Sequence, residues 1–552
     1  MTTPNVKDII LKIPALIVCF FFIAEHYFFE IEPCAASPLF VLSFLALIAI
    51  NVLTKSFQRK NYFRSSHIAI VVASLFLVVH FRAGTFWALN TFPLRDANTV
   101  WLTLQEPFDD FAYSMVHQYL TTTIPQALII TVILALFIYT VLSSTKTRLV
   151  SIAAYFVATI LLLISEIPIS DYFHYLNNEP EKNTALSEFF AENYVNPDSV
   201  KITPPEQKRN LILIYIESLE TTFSDKNHGG NQDTNLIPEI TKIAQQNINF
   251  GRNKNHIGGG IDATGSASTF GAMHTRSLGI PHIANYKKTP ILHHYKSIYD
   301  ILNNNGYKQL FFQGNSGLYN DFRDFVIDHK INEVYGPEDL IQRLRLDTLS
   351  RIRNQRFKTV PDKEVFKFAN QILDTISEPF SLTFFTIDTH APNGLYDPDC
   401  IKASDESNED EQLKAAAQCV SRELNKFITT VKSRPFYENT TIVVFGDHLF
   451  MGTRLVKDFP DRKWINIFIN SPKSPISEED RIFSDIDMLP TILSSINFSI
   501  EGDRLGFGTN LFSDKKTLIE QIGLDSLNKE INNMPSHLIY ESYMLKKQGK
   551  EQ

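Results

Sequence analysis

The sequence predicts an α/β protein in two parts: an N-terminal domain of five transmembrane helices, then a large domain with a mainly parallel central sheet. Three observations predict it. Charged residues make up 20% of the 552-residue chain, but they are sparse before about residue 168 and dense after it. Long apolar stretches fill the first part. In the second part, short apolar β runs alternate with helix-like segments from about 209 to 515. Hydrophobic residues are 44% of the chain, which excludes wholesale disorder. The net charge of −8 argues against a nucleic-acid partner, because binding phosphates needs a basic surface.

A bilayer core about 30 Å thick needs about 20 apolar residues of helix, since lipid cannot satisfy open backbone groups. Stretches at about 9–29, 38–54, 67–86, 124–143 and 149–167 meet or approach that length and define a domain over 1–168. The second is short. The third carries His80 and Arg82 near one end, where an arginine can snorkel. The first lacks a small-residue cleavage site and reads as a retained anchor. Lys7, Lys12, Lys55, Arg59, Lys60, Arg64, Lys146 and Arg148 fall on one side of the membrane. Glu30, Glu32, Asp96, Glu106, Asp109 and Asp110, with only Arg95 against them, fall on the other. The positive-inside rule makes the N-terminus cytoplasmic. Five crossings then place everything after 168 outside the cytoplasmic (inner) membrane of a bacterium, periplasmic or extracellular. A third stretch that did not cross would reverse that parity.

Residues 169–208 are polar, with Asn196-Pro197 and Pro204-Pro205, and read as a juxtamembrane helix and linker. After Asn210 comes an almost pure β run, 211–216. Such a run is expected where a strand is buried on both faces of a parallel sheet. Similar runs follow at 308–312, 380–387, 441–445 and 464–469. Helix-like segments at 297–305, 363–377 and 413–433 separate them. The domain is expected over 209–515, followed by a polar, helix-prone tail over 516–552. Cys400 and Cys419 flank an acidic stretch. In an oxidising compartment they are expected to pair; the alternative is two unrelated buried thiols.

Ligands of open α/β sheets sit beyond the C-terminal ends of the strands. Glu217 and Ser218 follow the first run. Asp388, Thr389 and His390 follow the third, and Gly446, Asp447 and His448 the fourth. One such residue is usually a turn former; three at equivalent ends point to a site. Glu217, Asp447 and His448 make a mixed oxygen and nitrogen ligand set that suits Mn²⁺ or Zn²⁺. Such an ion would stabilise phosphoryl charge and help deprotonate a hydroxyl. The segment 258–271 supplies glycines for close approach and the hydroxyls of Thr264, Ser266, Ser268 and Thr269. Its bland reading is a surface loop.

Together these segments resemble a known family. The residues that carry the resemblance are Glu217-Ser218-Leu219-Glu220, the Gly/Thr-rich loop ending in Gly279-Ile280-Pro281, the stretch from Thr386 to Gly394, and Gly446-Asp447-His448. Asn235-Leu236-Ile237-Pro238, Asn305-Gly306-Tyr307 and Asp487-Met488-Leu489-Pro490-Thr491 add to it. They are similar to the sulfatase-like branch of the alkaline phosphatase superfamily. Within that branch they look most like the membrane-bound phosphoglycerol transferases of osmoregulated periplasmic glucans, and more distantly like lipoteichoic acid synthases.

The resemblance implies a sulfatase/alkaline-phosphatase-like catalytic domain. One divalent cation, Mn²⁺ favoured and Zn²⁺ possible, would be held by Glu217, Thr269, Asp447 and His448. Thr269 would be the nucleophile, since it lies twelve residues before Pro281; Thr264 is the reserve choice. His390 would contact the head group or assist proton transfer. Asn315 and Tyr319 fall in a stretch similar to a donor-binding segment. The chain departs from that pattern at Asp321, where the family has an arginine, and Arg323 is the candidate substitute. No Cys or Ser stands in the C/S-x-P-x-R context that sulfate-ester hydrolases need.

The implied reaction moves a phosphoglycerol group from phosphatidylglycerol to an envelope glycan hydroxyl through a phospho-threonine, releasing diacylglycerol. The alternatives are a phosphoethanolamine transferase acting on lipid A or lipopolysaccharide core, a metal-dependent phosphodiesterase, and a non-catalytic membrane scaffold.

Overall fold

Asn210–Ile216 forms the strand β1, and all seven of its residues are buried. Leu211, Leu213 and Tyr215 enter one apolar core; Ile212, Ile214 and Ile216 enter a second. The period of two along a strand sends alternate side chains to opposite faces, so the sheet is packed on both sides. The computed structural model describes residues 188–532 apart from 283–294, 316–319, 332, 347–358, 392–393, 453–454 and 457–458. Before them it describes only 76, 79, 80 and most of 119–132.

The remaining strands of this sheet are β2 (Gly259–Gly260), β3 (Lys308–Gln313), β4 (Glu333–Tyr335), β5 (Phe380–Phe385), β6 (Thr440–Gly446) and β7 (Trp464–Ile469). Among the described residues they run in the order β2-β7-β6-β1-β5-β3-β4. β6, β1, β5, β3 and β4 are mutually parallel, and β7 and β2 add antiparallel pairings at one edge. β1 and β6 pair from Asn210 with Thr440 to Ile216 with Gly446. Their C-terminal ends, and the residues just past them, therefore lie side by side.

Helices cover both faces. α1 (Pro238–Gln246), α6 (Asp362–Leu373) and α7 (Glu409–Lys432) pack on the side of Ile212 and Ile214. α2 (Thr269–Leu278), α3 (Ile298–Asn304), α4 (Asn320–Asp328) and α8 (Met488–Ser495) pack on the other. α5 (Pro337–Leu344) adds Leu340 and Leu344 to the first core.

Several boundaries differ from the sequence reading, helix 363–377 ending at Leu373 among them. β5 ends at Phe385, two residues before the expected 387, because Ile387 N donates instead to Asp362 Oδ1. The packed domain also continues past 515: α9 (Leu518–Ile522) and α10 (Leu524–Asn532) place Leu518, Ile519, Leu527 and Ile531 in the core. Upstream, Phe190 of the short helix Glu188–Asn193 joins the same core.

The chain divides into two compact units, Met1–Phe92 with Asp110–Glu179, and Pro93–Asp109 with Pro180–Gln552. In the first, the Tyr119 hydroxyl and His80 Nε2 are 2.9 Å apart. The five apolar stretches fall outside the described residues except at scattered positions. Among the described residues no helix is long and apolar enough to cross a membrane.

Candidate metal centre and nucleophile

Glu217 and Asp447 are the first residues past β1 and β6, and parallel pairing brings them together. The approach is close: a methyl group at Gly446 would sit 1.8 Å from the Leu219 carbonyl oxygen, so only glycine fits there. Glu217, Asp447 and His448 are all buried, and each offers a ligand atom within 4.8 Å of the others. His448 Nε2 lies 3.6 Å from Glu217 Oε1 and 3.6 Å from Asp447 Oδ2. Its Nδ1 donates to the Leu449 carbonyl at 2.8 Å, which leaves the Nε2 lone pair facing the carboxylates.

Ser218, in the left-handed region at φ 52°, ties the carboxylates together. Its backbone N–H donates to Asp447 Oδ1 at 2.7 Å and its hydroxyl to Glu217 Oε1 at 2.7 Å. His448 N–H also donates to Asp447 Oδ1, at 2.7 Å. Asp447 Oδ2 is buried with no hydrogen-bond partner among the described residues. Burial raises Glu217 well above the usual carboxylate range, and the neighbouring Asp447 charge adds to this. Burial pulls His448 down, but Asp447 and Glu217 outweigh it and leave the imidazole raised. An orphaned buried oxygen among crowded acids is the environment a divalent cation would relieve, so this donor set fits the implied metal.

Thr269 reaches the set through His448. The loop before it ends at Ser268, whose hydroxyl accepts from Gly271 N at 3.1 Å and caps α2. Thr269 thus stands at the first position of a ten-residue helix, with Oγ1 3.5 Å from His448 Nε2. Of the two candidate threonines, it is the one whose hydroxyl reaches this imidazole among the described residues. The Thr264 N–H donates to Asn528 Oδ1 of α10 at 3.0 Å. The expected loop over 258–271 therefore includes the helix start.

His390 lies in the loop after β5, half-buried, with Nδ1 donating to the Ala391 carbonyl at 2.7 Å. That loop is pinned by Asp362 at the head of α6, which accepts from Ile387 N at 2.7 Å and Asp388 N at 3.2 Å. Thr386 and Thr389 bond the Glu217 backbone from the same loop. Asn315 follows β3, half-buried, with no partner for Oδ1 among the described residues. Tyr319 lies outside the described residues; Arg323 is on α4, but its side chain lies outside them. Cys400 and Cys419 are disulfide-bonded, with Cα atoms 5.8 Å apart.

Sequence reasoning assigned no role to a second carboxylate, Glu220. It is fully buried, accepts from Phe450 N at 2.8 Å and from Arg462 Nε at 3.0 Å, and so clips the loop after β1 to the loop after β6. Its place in the quoted motif was the available signal.

A family model described as Sulfatase matches residues 209–497. The chain is 28% identical over 286 residues to phosphoglycerol transferase I of Salmonella paratyphi B, a match covering 50% of this chain and 35% of that protein. The chain thus spans about a third of the length of the curated relatives it matches. The structure of a lipoteichoic acid synthase from Listeria monocytogenes is similar at 15% identity and a TM-score of 0.43, over 62% of this chain and 95% of that one. The lipooligosaccharide phosphoethanolamine transferase A of Neisseria meningitidis is similar at 13% identity and a TM-score of 0.45, over 87% and 92%.

Proposed function

The chain belongs to the sulfatase family, and on that premise we propose that it transfers a phosphoglycerol group from phosphatidylglycerol to a glycan hydroxyl of the bacterial envelope. The observation that carries the proposal is the buried cluster of Glu217, Asp447 and His448, with the Thr269 hydroxyl 3.5 Å from the His448 imidazole. Likeness to phosphoglycerol transferase I supports the choice of donor.

Glu217, Asp447, His448 and Thr269 would hold one divalent cation, Mn²⁺ in preference to Zn²⁺. When bound it neutralises charge on the non-bridging phosphate oxygens and acidifies the hydroxyl. Thr269 Oγ1 attacks phosphorus; the bond from phosphorus to the diacylglycerol oxygen breaks, and that oxygen takes a proton. Phosphoglycerol stays on Thr269. A sugar hydroxyl then attacks phosphorus, the bond to threonine breaks, and His390 assists the proton transfer. His390 and Asn315 contact the head group, with Tyr319 and Arg323 following in the chain. The donor lies in the membrane, so anchoring the domain at the outer face of the inner membrane raises encounter frequency.

The test uses the detergent-solubilised full chain with Mn²⁺, periplasmic glucan or lipopolysaccharide, and phosphatidylglycerol or phosphatidylethanolamine labelled in the head group. Labelled glycan and diacylglycerol from phosphatidylglycerol are expected. Turnover confined to phosphatidylethanolamine replaces the donor, free glycerol phosphate without labelled glycan makes the protein a hydrolase, and no turnover with any metal sinks the proposal.

A further inference from the structure

We propose that Arg276 is a positioning residue for the nucleophile: its buried guanidinium locks α2 against the end of β6 and so holds Thr269 towards His448. The inference rests on the reading of Thr269 and its neighbours given above. Arg276 lies seven residues after Thr269, two turns along the same face of α2. Its side chain is wholly buried, and Nε donates to the equally buried Asp485 Oδ1 at 2.7 Å. One terminal nitrogen, Nη2, donates at 2.8 Å to the backbone carbonyl of Asp447, itself in the ligand set. The guanidinium lies 4.1 Å from the Trp464 ring centre and 4.9 Å from that of Phe445. One cation therefore bridges the nucleophile's helix, the residue after β6, the first residue of β7 and the turn before α8.

Stability alone is a poor account of this arrangement. Arg276 Nη1 is buried with no hydrogen-bond partner among the described residues, and apolar side chains in place of a buried ion pair are often neutral or stabilising. What a planar fork supplies is direction. With Asp485 at one nitrogen and the Asp447 carbonyl at another, the helix can neither rotate nor slide without breaking a charge-assisted bond. The rotation so fixed is the one that presents Oγ1 of Thr269 to the imidazole.

The test compares the unaltered chain with Arg276→Met/Asp485→Leu and with Arg276→Lys. Thermal unfolding, direct Mn²⁺ binding by electron paramagnetic resonance, and kcat and KM for phosphatidylglycerol are measured on each. The double variant is expected to keep its Tm, bind Mn²⁺ roughly tenfold or more weakly, and lose about a hundredfold in kcat with KM little changed. Arg276→Lys keeps the charge but not the fork, and is expected to fall between. A folded double variant with Mn²⁺ affinity and kcat within about twofold of the unaltered chain overturns the proposal. Should the double variant not fold, Arg276→Lys decides by the same criteria. An unaltered chain that binds no Mn²⁺ overturns the reading of the site and this inference with it.

Discussion

Thr269 shows how much one position decides. Its hydroxyl is 3.5 Å from the His448 imidazole, whereas Thr264 is held by its backbone to Asn528. Thr269→Ala is expected to lower transfer by several orders of magnitude, while Thr264→Ala retains most of it; head-group label trapped on the protein, located by intact mass, checks both. The acids and imidazole around it set a pH dependence. Glu217 is raised by burial and by Asp447, and His448 is raised by Asp447 and Glu217 against burial. Both keep protons at pH values where free side chains would have lost them. Because a cation must displace those protons, Mn²⁺ affinity is expected to climb as pH rises through neutrality and to fall in acid. Calorimetry in buffers of different ionisation heat would record the proton release. Glu217, Asp447 and His448 were legible because each follows an apolar run. Arg276 was not: its carboxylate partner lies 209 positions away and no local pattern announces it. Glu220 stood in a legible motif, but its role did not, since its arginine partner lies 242 positions away.

At the level of elements, the start of α2 rests on one side-chain cap. Ser268 accepts from Gly271 N, and Gly271 itself has room only for hydrogen, since a methyl there would lie 2.3 Å from the Gly265 carbonyl oxygen. Ser268→Ala is expected to cost about 1 kcal/mol in urea unfolding. It also loosens the helix start that carries Thr269, the proposed nucleophile, so kcat should fall further than stability alone explains. The central strands were readable as runs rich in apolar residues, which is what burial on both faces favours. Gly259–Gly260 and Glu333–Tyr335 were not, because strands of two and three residues at the sheet's edges carry no periodic pattern.

For the molecule as a whole, the C-terminal segment is structural. Leu518, Ile519, Leu527 and Ile531 are buried, and each apolar side chain of this kind is worth about 1.5–3 kcal/mol when fully buried. A chain ending at 516 is expected to lose several kcal/mol and to fall largely into the insoluble fraction on expression. Polar residues between those four positions masked their common face, which is why the tail read as separate from the domain. The chain's division into two compact units was foreshadowed by composition, since charged residues are sparse before about residue 168 and dense after it.

The sheet order carries one last consequence. Ser218 and Asp447 meet although 229 positions separate them, and β1 and β6 become neighbours only after the chain between them has looped back. No short fragment can hold a preliminary version of the centre. Closing loops of that length is slow, so during refolding the capacity to bind Mn²⁺ should return late, well after helical circular dichroism has recovered.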